Sequence, residues 1–171
     1  MALPPGAVRY LLIGQAIIPF FINVIVNIVI GVLSFGGQKS VATWAFDKGA
    51  VADTIGTCFF LPLITCLIVT PIVHRQLVTG VASRIPVTDV PRWVRWMKGH
   101  MMLRATKFGV TGLLLLTGPV YGLYYLFAGD SIETVRFIAL KAILSGLMGV
   151  VVTPLIAFVA MCDHAPSPQR R

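Results

Sequence analysis

The sequence predicts an all-α integral membrane protein, a four-helix bundle, and three observations carry that prediction. Of 171 residues, 57% are hydrophobic and only 12% are charged. The mean hydropathy is +0.87, well above the range in which a water-soluble domain balances core against surface. No charged residue and no histidine lies between Arg9 and Lys39, between Asp53 and His74, between Lys107 and Asp130, or between Lys141 and Asp163. These intervals hold 20 to 29 residues each, and a helix rising ~1.5 Å per residue needs ~20 of them to cross a ~30 Å hydrocarbon layer.

Four spans are therefore expected, near residues 10–34, 52–73, 104–128 and 134–161. A β-barrel would need period-two alternation, which INVIVNIVIGVL and TGLLLL lack. The first span has too long an apolar run for a signal peptide and no small-x-small exit, so it is expected to remain as a helix. Ten of the fourteen Lys and Arg fall at the amino-terminal end, in the loop between spans two and three, or in the tail. The positive-inside rule then places both termini and that loop in the cytoplasm, in a cell (inner or plasma) membrane, with two short loops outside. The net charge of +8 is a topology signal of residues beside spans, and nucleic acid is not an expected partner.

Span one carries Asn23 and Asn27 four residues apart, hence on one face, with Gly31 continuing that face and Gln15 near the cytoplasmic end. Carboxamides in hydrocarbon want partners, and interhelical hydrogen bonds worth ~0.6 to 2 kcal/mol are the first expectation. The alternative is a polar solute path, with Thr54, Thr57, Cys58 and Thr65 of span two as its opposite wall. Cys58 and Cys66 lie two turns apart, ~12 Å along the axis, too far for a disulfide. With Cys162 they read as small apolar core residues.

Span two also contains LIVTPIV, and span four repeats it as VVVTPLI, so that Val69-Thr70-Pro71 falls on Val152-Thr153-Pro154 at an offset of 83. A proline inside a helix removes a donor and clashes with the carbonyl four residues back. The hydroxyls of Thr70 and Thr153 are expected to serve local carbonyls while Pro71 and Pro154 kink the helices so that the bundle packs. A hinge that moves during transport is the alternative. Because each half has two spans, a duplicated chain would be two helical hairpins in parallel repeat, related by an axis along the membrane normal. Outside the V-T-P core, spans one and three do not align.

The segment from Asn27 through the first short loop to LIVTPIVHRQLV, about residues 15–80, resembles an uncharacterised family of short bacterial two-helix membrane proteins. The second helix of that family likewise ends in apolar residues, a proline, two apolar residues and basic residues. His74 stands here in place of the first basic residue. The resemblance implies a two-span hairpin, present as a tandem duplication, and no activity.

Span three has Gly118-x-x-x-Gly122, interrupted by Pro119, and span four has Ala142-x-x-x-Gly146 and Ser145-x-x-x-Gly149. Small residues four apart allow close helix packing, within the monomer or in a homodimer. Tyr121, Tyr124, Tyr125 and Phe127 at the outer end of span three form the expected aromatic belt. Lys141 has three readings: its stem snorkels to the boundary, it pairs with Asp53 at the start of span two, or it takes part in transport.

In the central loop, PRWVRWMKGHMM (91–102) reads as a short interfacial amphipathic helix. Trp93, Val94, Trp96, Met97 and Met101 share one arc and Arg92, Arg95 and Lys98 the other, which suits anionic inner-leaflet lipid. The alternatives are a basic loop that only enforces topology and a protein-docking surface. One membrane domain is thus organised as a hairpin over 10–75, a loop over 76–103, a second hairpin over 104–161 and a disordered tail over 162–171.

No catalytic constellation is recognisable, since the six carboxylates are nearly all in loops or the tail. His74, His100 and His164 sit at the cytoplasmic rim, leaving no bis-histidine haem site and no zinc-like spacing. No metal or other cofactor is expected. The sequence favours a non-enzymatic structural or accessory protein that associates with itself or a membrane partner. The alternative is a small transporter subunit for a hydrophobic or weakly polar solute; against it stands the lack of a carboxylate within any span.

Overall fold

A computed structural model describes residues 5–83, 85, 91–97 and 99–163. Four helices in it are long and apolar enough to cross a membrane: Gly6–Phe35, Ala50–Val78, Met101–Phe127 and Thr134–Met161. The chain is a multi-pass membrane protein.

The first span is composite: α1 (Pro5–Arg9) passes into a π-helical stretch, Tyr10–Ile17, and then into α2 (Ile18–Phe35). Pro19, which has no amide hydrogen for the ladder, stands in the first turn of α2. Just ahead of it, Ile18 N–H reaches back five residues to the Ile13 carbonyl, the π pattern. The remaining elements are β1 (Ser40–Ala42), α3 (Ala50–Val78), α4 (Arg92–Met97), α5 (Met101–Phe127), β2 (Ser131–Glu133) and α6 (Thr134–Met161).

The two hairpins are interleaved. α3 and α6 pack on each other at the centre, α2 packs on α6, and α5 packs on α3. Each outer span therefore rests on the inner span of the other hairpin. Exchanging the two halves leaves this set of contacts unchanged, as a parallel repeat about the membrane normal requires. The short loops obey the same exchange: β1 pairs antiparallel with β2, with Val41 opposite Ile132 between Ser40–Glu133 and Ala42–Ser131.

Glycines set the close approaches. A Cβ on Gly149 would meet the Asn23 amide at 2.5 Å, and one on Gly146 would meet Val24 and Phe20 at 2.7 and 2.8 Å. The small-residue face of span four is thus used within the monomer, against span one. On span three, a Cβ on Gly112 would lie 2.6 Å from the Cys58 carbonyl oxygen and 2.7 Å from Pro62. Gly118 and Gly122 have no neighbour within 4 Å and face outward.

Several expectations are corrected. α3 and α6 stay helical through Pro71 and Pro154, and it is the expected role of the threonines before them that changes: among the described residues their hydroxyls do not serve local carbonyls. Thr70 pairs with the Cys66 sulfur at 3.7 Å, and the buried Thr153 hydroxyl has no partner among the described residues. The loop helix ends at Met97, because Gly99 takes a φ of +145° and Met101 already belongs to α5. Tyr124 is not part of an aromatic belt: it is fully buried, whereas Tyr121, Tyr125 and Phe127 are exposed. Cys162 and Asp163 are packed rather than part of a loose tail. Cys162 is buried, and Asp163 accepts from Arg104 Nη2 at 2.9 Å and lies 2.9 Å from His74 Nε2. Arg84, Lys98, His164 and the rest of the tail, with its Arg170 and Arg171, lie outside the described residues.

Candidate functional site

The side chains with unusual chemistry converge on one cleft of about 390 Å³ between spans one and two, floored by span four. Cavities that hold small molecules run from about 300 to 1,000 Å³. Asn23 and Asn27 come from α2, Asp53, Thr57 and Thr65 from α3, and Lys141 from α6. Apolar residues, among them Val26, Ile30, Phe60 and Ile64, complete the walls. The cleft exists because α2 and α3 are each held by α6 rather than by one another.

The electrostatic centre is the pair Asp53–Lys141, with Nζ 2.5 Å from Oδ2. Lys141 is 2% exposed, so its stem does not snorkel to the boundary. Two turns inside the first residue of α6, it has turned inward to the carboxylate. Asp53 lies in the first turn of α3, where unpaired backbone amides favour an anion. The objection that no span holds a carboxylate is thereby weakened: Asp53, in the first turn of the span-two helix, is drawn to a lysine buried in the bundle. No hydrogen bond of ordinary geometry reaches its Oδ2 among the described residues, so the ammonium is the sole partner of that buried oxygen. Removing one member of such a pair leaves a charge without compensation in a low-dielectric site.

The carboxamides do not bond across helices, contrary to the first expectation. Asn23 Nδ2 donates to the Pro19 carbonyl at 2.8 Å and Asn27 Nδ2 to the Asn23 carbonyl at 3.0 Å, both within span one. Thr57 likewise donates to the Asp53 carbonyl at 3.1 Å.

Thr54 does not belong to the cleft. Its hydroxyl donates to the Ala50 carbonyl at 2.8 Å and lies 2.9 Å from the Tyr124 hydroxyl, both side chains being buried. Cys58, also buried, faces span three, where its carbonyl meets Gly112. Residues 53, 57 and 64 follow one stripe and 54 and 58 the next, but the stripe alone does not decide: Thr65, on the second stripe and further along the helix, lines the cleft.

Sequence reasoning missed the closure at the terminal end. Gln15, in the π-helical stretch, donates from Nε2 to the Tyr10 hydroxyl at 2.9 Å, and Tyr10 donates to the Gln76 side-chain oxygen of span two. This is the one side-chain hydrogen bond joining spans one and two among the described residues. The signal that would have found it is Gln15 itself, an isolated carboxamide at the depth of Gln76.

Among the described residues no group of three or more His, Cys, Asp or Glu is placed to hold a metal ion. The loop residues Arg92, Trp93, Arg95 and Trp96 lie away from the polar cleft, in and beside α4. No family model matches the chain, and no curated protein or solved structure does either.

Proposed function

We propose that this protein is a non-enzymatic, membrane-embedded carrier subunit that binds a small, weakly polar solute in the cleft between spans one and two. The observation that supports this reading is the coincidence, in one cavity of about 390 Å³, of the buried Asp53–Lys141 pair with Asn23, Asn27, Thr57 and Thr65. Ionisable residues within membrane spans are costly and mark solute or ion pathways more often than packing faces. The cleft is walled by apolar side chains with a few convergent polar groups, the usual composition of a small-molecule site. The Tyr10–Gln76 bridge ties spans one and two together near the termini, and the cleft lies in the other, loop half of the same seam, which is its open half. The Lys and Arg asymmetry supports termini in the cytoplasm, which turns the open half outward.

A second reading, self-association in a structural or accessory role, is favoured by Gly118 and Gly122, which face outward from span three with nothing packed on them. The experiment that separates the two is native mass spectrometry from nanodiscs of the wild type and of Thr57→Phe. The carrier reading expects a discrete non-lipid mass on the wild type that is absent from the variant. Identical spectra with no such mass, together with a homodimer or a stoichiometric foreign subunit, would replace it with the accessory reading.

A further inference from the structure

A second cleft, of about 420 Å³, lies between spans three and four on the opposite side of the bundle. Its walls are Phe108, Leu115 and Leu116 of α5 and Val151, Val152 and Leu155 of α6, with Pro62 of α3 as floor. Thr111 brings the only hydroxyl among its lining side chains, and Gly112 lets α5 sit against Pro62. The roof is α4, which contributes Trp93, Trp96 and Met97.

α4 is fixed over this seam from both sides. Trp93 stacks on Phe158 of span four at 6.1 Å between centroids. Lys107 of span three donates to the Trp96 carbonyl at 2.6 Å and stands 5.2 Å from the Trp96 ring centre. Val94 and Met97 are buried beneath, while Arg92 and Arg95 are exposed. A lone basic amphipathic turn on a membrane surface needs no such anchoring, and it would not enclose a cavity.

We propose that this cleft seats one acyl chain of an anionic phospholipid, with its headgroup phosphate held by Arg92 and Arg95. Two features identify the occupant. The cleft opens sideways, because Leu115 is 68% exposed and Val151 60% exposed at a depth where a bilayer presents lipid tails. At its roofed end the apolar surface meets tryptophans and the exposed Arg92 and Arg95, the chemistry that receives a negatively charged headgroup at the interface. A peptide helix would fit the apolar walls and would leave these two arginines unmatched.

The test uses tryptophan quenching by brominated lipid. The chain has three tryptophans, so Trp44→Phe leaves Trp93 and Trp96 as reporters. The purified full chain is reconstituted in vesicles of phosphatidylcholine containing increasing fractions of either dibrominated phosphatidylglycerol or dibrominated phosphatidylcholine. A seated chain gives quenching that saturates at a low mole fraction of the anionic lipid and is reversed by unlabelled phosphatidylglycerol. Arg92→Gln and Arg95→Gln, both at exposed positions, each reduce the anionic preference about fivefold. Val151→Phe, which fills the cleft, removes the saturating phase for both lipids. Quenching that rises in proportion to mole fraction and equally for both lipids would overturn the proposal, leaving only bulk lipid at the surface. So would an anionic preference that survives both arginine substitutions, or a saturating phase that survives Val151→Phe.

Discussion

The two clefts occupy corresponding seams of the interleaved hairpins, one between spans one and two and the other between spans three and four, yet they differ in chemistry and in depth. The first is polar and lies in the loop half, between spans that Tyr10 and Gln76 join near the termini. The second is apolar, lies in the terminal half, and is roofed by α4. A shared helix arrangement therefore does not dictate what a seam holds. The polar character follows from a few side chains on three different spans, whereas the apolar cleft follows from a glycine, a proline and a roof.

If the first seam owes its character to one buried pair, the largest effect in the molecule comes from splitting that pair. Asp53→Asn leaves Lys141 buried without a counter-charge and costs about 3 to 5 kcal/mol, read from denaturant titration in detergent. The double variant Asp53→Leu with Lys141→Met returns to within about 1 kcal/mol of the wild type while abolishing any solute binding. A double variant as unstable as the single one would show that the pair holds the bundle together and is no separable part of a site.

The floor of the second seam is rigid by comparison, and the two glycine contacts measure the difference. Gly112→Ala drives a methyl into the Cys58 carbonyl and the Pro62 ring, both stiff, and costs about 1 to 3 kcal/mol. Gly149→Ala meets the movable Asn23 carboxamide most closely, with the Pro19 carbonyl at an ordinary 3.4 Å, and costs under about 1 kcal/mol. Equal losses in thermal unfolding would mean that the two seams are equally close-packed.

Smaller effects mark residues outside both clefts. Tyr124→Phe removes the buried contact with Thr54 and costs about 1 kcal/mol, with no change in solute or lipid binding. Glu133→Gln breaks the exposed Glu133–Arg136 pair, 3.2 Å apart, and shifts stability by no more than about 0.5 kcal/mol. A larger change at Glu133 would point to an unrecognised role for the short loops.

The number, type and approximate bounds of the spans were legible because charge-free intervals of bilayer length admit few other structures. Span partners were not. Consecutive spans normally suggest packed hairpins, and the interleaving emerges only from the packing, as in the contacts of Gly146 and Gly149 with span one and of Gly112 with span two. The cleft was half legible. Asn23, Asn27 and Thr57 fall on faces that a helical wheel identifies, but the wheel sets Thr65 beside Thr54, and Thr65 lines the cleft while Thr54 pairs with Tyr124. Lys141 was ambiguous for a physical reason: a lysine near a span boundary can extend to water or turn inward, and its direction depends on a carboxylate from another helix. The Tyr10–Gln76 closure rests on a π-helical stretch, which leaves no periodic signature in so apolar a segment.

The ribbon of β1 and β2 limits how this bundle moves. Its three residue pairs are extended by the Thr43 amide on the Asp130 carbonyl and by Thr134, whose amide and hydroxyl reach the Lys39 and Gln38 carbonyls. Because a strand repeats its bonding pattern only every two residues, any slip of β1 along β2 is a jump of about 6.6 Å that breaks these bonds together. The ribbon therefore fastens the loop ends of the two halves by backbone, whereas Tyr10–Gln76 and Arg104–Asp163 join the terminal ends through side chains.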